Sequence, residues 1–204
     1  MAHDLNDPLG LRHKSEILEQ RDYPRDPAHD VLFAQSANAL SGIRFALAFI
    51  WIGAFAAGSD SRAIFATLAI AATLSDILDG RLARRLGTAS ATGRWLDSLA
   101  DITFILVALT CEAIASAIPF YIPLLIATSF TQYAFDSVLV HREGVPVRSR
   151  LGHWGGVINY ALVIALSISL PHSYASTLIR ESAPVLALFY LAAIIERALG
   201  YRAG

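Results

Sequence analysis

Apolar residues dominate six long stretches of this 204-residue chain, and that patterning restricts its fold more than any other feature. The stretches run from about Val31 to Ala57, Arg62 to Leu86, Ala91 to Ile118, Pro119 to Val140, Trp154 to Leu170 and Ala183 to Leu199. A helix that crosses a bilayer needs about 20 mainly apolar residues. Hydrophobic residues make up 55% of the chain and charged ones only 16%, far from the balance of an ordinary soluble domain. The expectation is an all-α integral membrane protein, a single bundle of six transmembrane helices over residues 31–204. A polar cytoplasmic segment, residues 1–30, precedes it, in which His13 to Tyr23 form either a short amphipathic surface helix or part of a polar tail. That segment does not read as a secretory signal. Cys111 is the sole cysteine, so no intrachain disulfide is expected, and a net charge of −1 gives no reason to expect nucleic acid as a partner.

Against this oily background, Asp76, Asp79, Asp97 and Asp101 stand out. The first two are three apart and the second two four apart, so on helices each pair shares a face. Gly87, Gly93 and the small residues between the pairs allow the chain to turn back, which would aim four carboxylates into one cavity. Such a group cannot stay uncompensated at low dielectric, because like charges and desolvation both disfavour ionisation. Hard divalent cations relieve it, since oxygen donors suit Mg2+ or Mn2+, and two ions can clamp the oxygens of a phosphoryl group. The competing reading makes these aspartates solvated helix ends, paired with Arg81, Arg84, Arg85 and Arg94.

The frame Asp76-x-x-Asp79-Gly80-x-x-Ala83-Arg84, eight residues, then Gly93-x-x-x-Asp97-x-x-x-Asp101, resembles the full signature of the CDP-alcohol phosphotransferases. The resemblance implies two metal ions: Asp76, Asp79 and Asp97 as ligands, Asp76 and Asp97 shared, and Asp101 both completing the second site and acting as general base. It implies a CDP-linked donor, most typically CDP-diacylglycerol, approached closely by Gly80 and Ala83, bonded by Arg84 and contacted by Ser90. The run Asn38-Ala-Leu-Ser41-Gly-Ile-Arg44 is similar to the family's first-helix segment and brings Ser36, Ala37, Asn38 and Ala39 to the nucleotide. The implied reaction makes a phospholipid by passing the phosphatidyl group to an alcohol and releasing CMP. Family members are commonly homodimers, so a second copy is an expected partner.

Arg148 and Arg150 are candidates for an acceptor's phosphate, as in glycerol 3-phosphate or inositol phosphate; as loop charges they would instead enforce topology. His153 stands where the family loop often carries lysine. Glu112 lies about 16 Å along its helix from Asp101, too far to join the site, and is assigned to the opposite end or to a pairing within the bundle. Asp136 is assigned to the interface in preference to the cavity.

Basic residues set the orientation. Arg12, Lys14, Arg21 and Arg25, the arginines near the aspartates, Arg142, Arg148, Arg150, Arg197 and Arg202 all fall on one side of six spans, against Arg62 and Arg180 on the other. The positive-inside rule puts both termini and the aspartates at the cytoplasm, in a cell or inner membrane. Two other functions use aspartates and Mg2+. An intramembrane prenyltransferase generally separates its two acidic motifs widely, and a divalent-cation transporter holds its acids near mid-bilayer. The compact frame at one membrane face argues against both.

Overall fold

The computed structural model describes residues 27–86, 91–140, 150–169 and 174–200, and every regular element among them is helical. In chain order they are α1 (Pro27–Ala56), α2 (Arg62–Leu86), α3 (Ala91–Ile114), α4 (Tyr121–Phe135), α5 (Arg150–Ile168), α6 (Tyr174–Glu181) and α7 (Ala183–Gly200). A wider π-helical turn, Asp136–Val140, carries α4 on to the limit expected for the fourth apolar stretch. Residues 1–26, with His13 to Tyr23, lie outside the described part. The all-helical expectation holds for the described residues. Among them, no helix is long and apolar enough to cross a membrane.

Two helices end in the same way. After α1, Gly58 takes φ +68°, its N–H donates to Phe55 O at 2.9 Å, and Ser59 N–H donates to Ala54 O at 3.0 Å. This reverse turn satisfies the last carbonyls of the helix and favours glycine in its left-handed position. After α3, Ser116 N–H donates to Ala113 O and Ala117 N–H to Glu112 O, with Ser116 itself at φ 62°. The stop at Ile114 therefore falls short of the expected Ile118, and a side chain sits where glycine is preferred. At α4 and α7, Pro123 and Pro184 lie within the first turn, where a missing N–H costs no helical bond.

The expected six helices become seven because Tyr174–Glu181, between the last two apolar stretches, folds as a short helix of its own. Ile179 packs against the core while Thr177, Leu178 and Arg180 stay exposed.

Helix α1 packs along α3 and α2, α2 packs on α5, and α4 pairs with α7 on the other side of α3. The buried positions explain this. Ser41, Arg44, Ala48 and Trp51 lie on one face of α1, and Phe65, Leu68, Ala69, Ala72, Ser75 and Asp79 on one face of α2. Ala69, Ala72, Ala100 and Ala108 are fully buried, letting backbones approach closely. Trp51 fills the gap between them, 4.9 Å from Phe65 and edge-on to Phe104 at 5.7 Å between ring centroids. Phe104 in turn stacks on Tyr160 of α5 at 6.4 Å. Outward faces carry Phe49, Leu124, Val185 and Leu188, so the exterior is apolar too.

At one end of the bundle, Arg62 Nη1 donates to Glu112 Oε1 at 3.1 Å. Glu112 is thus paired with Arg62, at the end of the bundle away from the aspartates.

Replacing Trp51 by alanine is expected to lower stability by about 3–5 kcal/mol, and Ser116→Gly to raise it by about 1 kcal/mol. Phe49→Ala, on the exposed face, is expected to change it little. Thermal unfolding of the three variants in one detergent checks the order.

Candidate active site

The four aspartates meet at the other end. Helix α2 presents Asp76 and Asp79 from neighbouring turns, and α3 presents Asp97 and Asp101 a turn apart. One carboxylate oxygen from each of Asp76, Asp97 and Asp101 lies within 4.8 Å of the other two. Asp79 is set deeper: its side chain is 6% exposed, against 37% for Asp76 and 36% for Asp97, so the cluster opens on the side of those two.

At its floor is Arg44, a fully buried guanidinium from α1. Nη2 donates to Asp79 Oδ2 at 2.6 Å and to Asp97 Oδ1; Nη1 donates to Asp101 Oδ1 and stands 3.8 Å from Asp76. Among the ion pairs of the described residues, four carboxylates against one guanidinium leave three negative charges in excess. At roughly 4 Å and the effective dielectric of a partly buried site, each like-charge pair costs about 4 kcal/mol. The arrangement therefore calls for further positive charge. Hard oxygen donors, open to one side and too acidic for their surroundings, fit a divalent cation such as Mg2+.

Tyr160 of α5 completes the group, its hydroxyl donating to Asp101 Oδ1 at 2.6 Å. Its ring is fixed by the stack on Phe104, one turn along α3 from Asp101, so the core aromatics set the position of that carboxylate.

Sequence reading thus found the aspartates and named Arg81, Arg84, Arg85 and Arg94 as partners only in its competing reading. Among the described side chains the arginine that pairs with all four is Arg44 of α1, while the side chains of Arg84 and Arg85 lie outside the described part. Arg44 was legible as a charge inside an apolar helix, which demands partners; Tyr160, among apolar neighbours, gave no such signal. Ser36, Ala37, Asn38 and Ala39 lie on the first half of α1, and Gly80, Ala83 and Arg84 on the last turns of α2, with their side chains outside the described part. Arg150 opens α5 and His153 is in its first turn, likewise without described side chains. Ser90 and Arg148 lie outside the described residues. Asp136 is half-buried at the start of the π-helical turn, near Arg197 of α7, whose guanidinium lies 4.7 Å over the Tyr133 ring.

Comparison with known proteins bears on the same region. A family model described as CDP-alcohol phosphatidyltransferase matches residues 34–196. Two curated relatives, each named "Probable phosphatidylglycerophosphate synthase" and from two strains of Mycobacterium tuberculosis, are 32% identical over 141 residues. The match covers 67% of this chain and 65% of each relative, so it spans about two thirds of their length.

Mg2+ at a hundredfold excess over its dissociation constant is expected to stabilise the full chain by about 2.7 kcal/mol. Asp97→Asn should remove most of that gain, as read from unfolding temperatures with and without the ion.

Proposed function

The chain belongs to the CDP-alcohol phosphatidyltransferase family, and from that premise we propose that it makes a phospholipid by moving the phosphatidyl group of CDP-diacylglycerol onto an alcohol. The observation that carries the reading is the convergence of Asp76, Asp97 and Asp101 on one open cluster, inside the stretch that the family model covers. The acceptor is glycerol 3-phosphate, a choice supported by the product in the relatives' name. Arg148 and Arg150 would take its phosphate, a role for which guanidinium forks are suited.

In this reaction the acceptor hydroxyl oxygen attacks the β-phosphorus of the donor. The bond from that phosphorus to the CMP oxygen breaks, and CMP leaves. Asp101 receives the hydroxyl proton. Its Oδ1 accepts from the Tyr160 hydroxyl, and its second oxygen is the one assigned to the acceptor. Asp76, Asp79, Asp97 and Asp101 would hold two Mg2+ or Mn2+ ions, which when bound neutralise the diphosphate and the departing phosphate. Gly80 and Ala83 leave room for the cytidine and diphosphate on α2, Arg84 and Ser90 bond the donor, and Ser36, Ala37, Asn38 and Ala39 line its nucleotide side.

A donor with two acyl chains needs a route from the bilayer to the site. The exposed Phe49, Leu124, Val185 and Leu188 support a bundle, residues 31–204, that lies in the membrane with its aspartates at the cytoplasmic border. The excess of basic residues on the aspartate side supports the same orientation in the cell or inner membrane. A homodimer is the assembly proposed.

Purified protein given CDP-diacylglycerol, Mg2+ and glycerol 3-phosphate is expected to release CMP and form phosphatidylglycerophosphate. Asp101→Asn should lower the rate by about 10²–10⁴-fold. Tyr160→Phe, which keeps the ring but loses the hydroxyl, should lower kcat about tenfold with little change in the KM for donor. CMP release that is untouched by Asp101→Asn would overturn the assignment.

A further inference from the structure

The imbalance at the aspartate cluster raises a question about Arg44. A buried guanidinium that serves only as a strut ordinarily has all its N–H groups paired. Here Nη1 and Nη2 are committed to the carboxylates, while Nε is buried with no acceptor among the described residues. The side chain thus reaches into the cluster at the expense of one of its own bonds. It also engages Oδ1 of both Asp97 and Asp101, two of the three residues whose oxygens stand close enough to share an ion.

We propose that Arg44 is a resident counter-cation: in the metal-free protein it holds Asp97 and Asp101, and it gives them up when a divalent ion binds. The inference rests on the metal-dependent reading above. Three features support the exchange. The open side of the cluster, lined by the partly exposed Asp76 and Asp97, admits an ion from solvent, whereas Arg44 is wholly buried. A guanidinium and a dication cannot share the same oxygens at ligand distance without strong repulsion. And Asp79, the most buried of the four, can keep its Oδ2 on Nη2, 2.6 Å away, when the other two are surrendered, with Oδ1 left for an ion. The exchange keeps the four carboxylates gathered before metal arrives, so that loading does not have to assemble them against their mutual repulsion.

Two cations that compete for one set of oxygens must weaken each other's binding. Removing Arg44 should therefore tighten metal binding while loosening the metal-free fold, whereas loss of a simple strut would weaken both. The experiment is a Mn2+ titration of the detergent-solubilised full chain, with free Mn2+ read by electron paramagnetic resonance, alongside unfolding temperatures in chelator and in saturating Mn2+. Arg44→Gln is expected to bind Mn2+ about tenfold or more tightly than the unaltered chain, and Arg44→Lys to fall between them. Lysine keeps the charge but not the fork, so a gain with lysine separates exchange of bonds from the effect of charge at a distance. Both variants should unfold at lower temperature in chelator, with the gap closing in Mn2+.

Equal Mn2+ affinity in the unaltered chain and Arg44→Lys, or weaker affinity in the variants, would overturn the exchange and leave the metal-dependent reading standing. No Mn2+ binding by the unaltered chain would overturn both. Where Arg44→Gln fails to fold, the lysine variant alone decides, because its sign differs between the two cases.

Discussion

Repulsion among four carboxylates is the constraint around which this structure is arranged. Four such groups make six like-charge pairs, and Arg44 supplies only four attractions to set against them. The short contacts to Arg44 offset part of that repulsion, and desolvation of the partly buried carboxylates adds to it. A fold that maintains such a cluster must hold it by other means. The opposing energy comes from apolar packing immediately beneath: Ala48 and Trp51 continue the face of α1 that carries Arg44, and Phe104 and Ala108 continue the face of α3 that carries Asp101.

The aromatic column has a second consequence. Trp51, Phe104 and Tyr160 come from α1, α3 and α5, and the last of them ends in the hydroxyl that bonds Asp101. Packing and chemistry are thereby joined through one side chain. A change that loosens the column, even two turns from the aspartates, would reach the carboxylate assigned the proton transfer. Arg44 and Trp51 are likewise two turns apart on one helix face, so the depth to which α1 settles against α3 also sets how far the guanidinium reaches into the cluster.

How much of this could be read from the sequence depends on the range of the signal. Helix identity and approximate limits were legible, because long apolar stretches with glycine and proline at their borders leave few alternatives. The aspartate frame was legible because its spacing is local, three or four residues on each of two adjacent helices. Tyr160 was not, since its role arises only when α5 packs against α3, and nothing in its own neighbourhood distinguishes it from a core tyrosine. Arg44 was half legible: a lone charge in an apolar helix announces that it has partners, but the choice between distant aspartates and solvent is made by the depth of α1. The short α6 was missed because eight residues, Tyr174–Glu181, with Leu178 and Ile179 as their large aliphatic side chains, leave almost no periodic pattern to detect.

The two ends of the bundle show why charge stoichiometry separates a structural ion pair from a functional one. On α3, Glu112 and Asp101 lie about 16 Å apart, and each meets an arginine from another helix. At the Glu112 end the count is one to one: Arg62 faces a single carboxylate and also lies 3.5 Å from the carbonyl of Leu166, tying α2, α3 and α5 together. The charges balance there, and what is left over is Glu112 Oε2, buried without a hydrogen-bond partner among the described residues. At the Asp101 end one arginine faces four carboxylates, an excess that packing tolerates but does not neutralise. Stability by itself would favour replacing some of those acids with neutral residues. The excess makes physical sense when the missing positive charge is supplied from outside, by ions that arrive with or before a phosphorylated substrate. It is to this unbalanced end, open on one side and braced from below by Trp51, Phe104 and Tyr160, that the proposed chemistry is assigned.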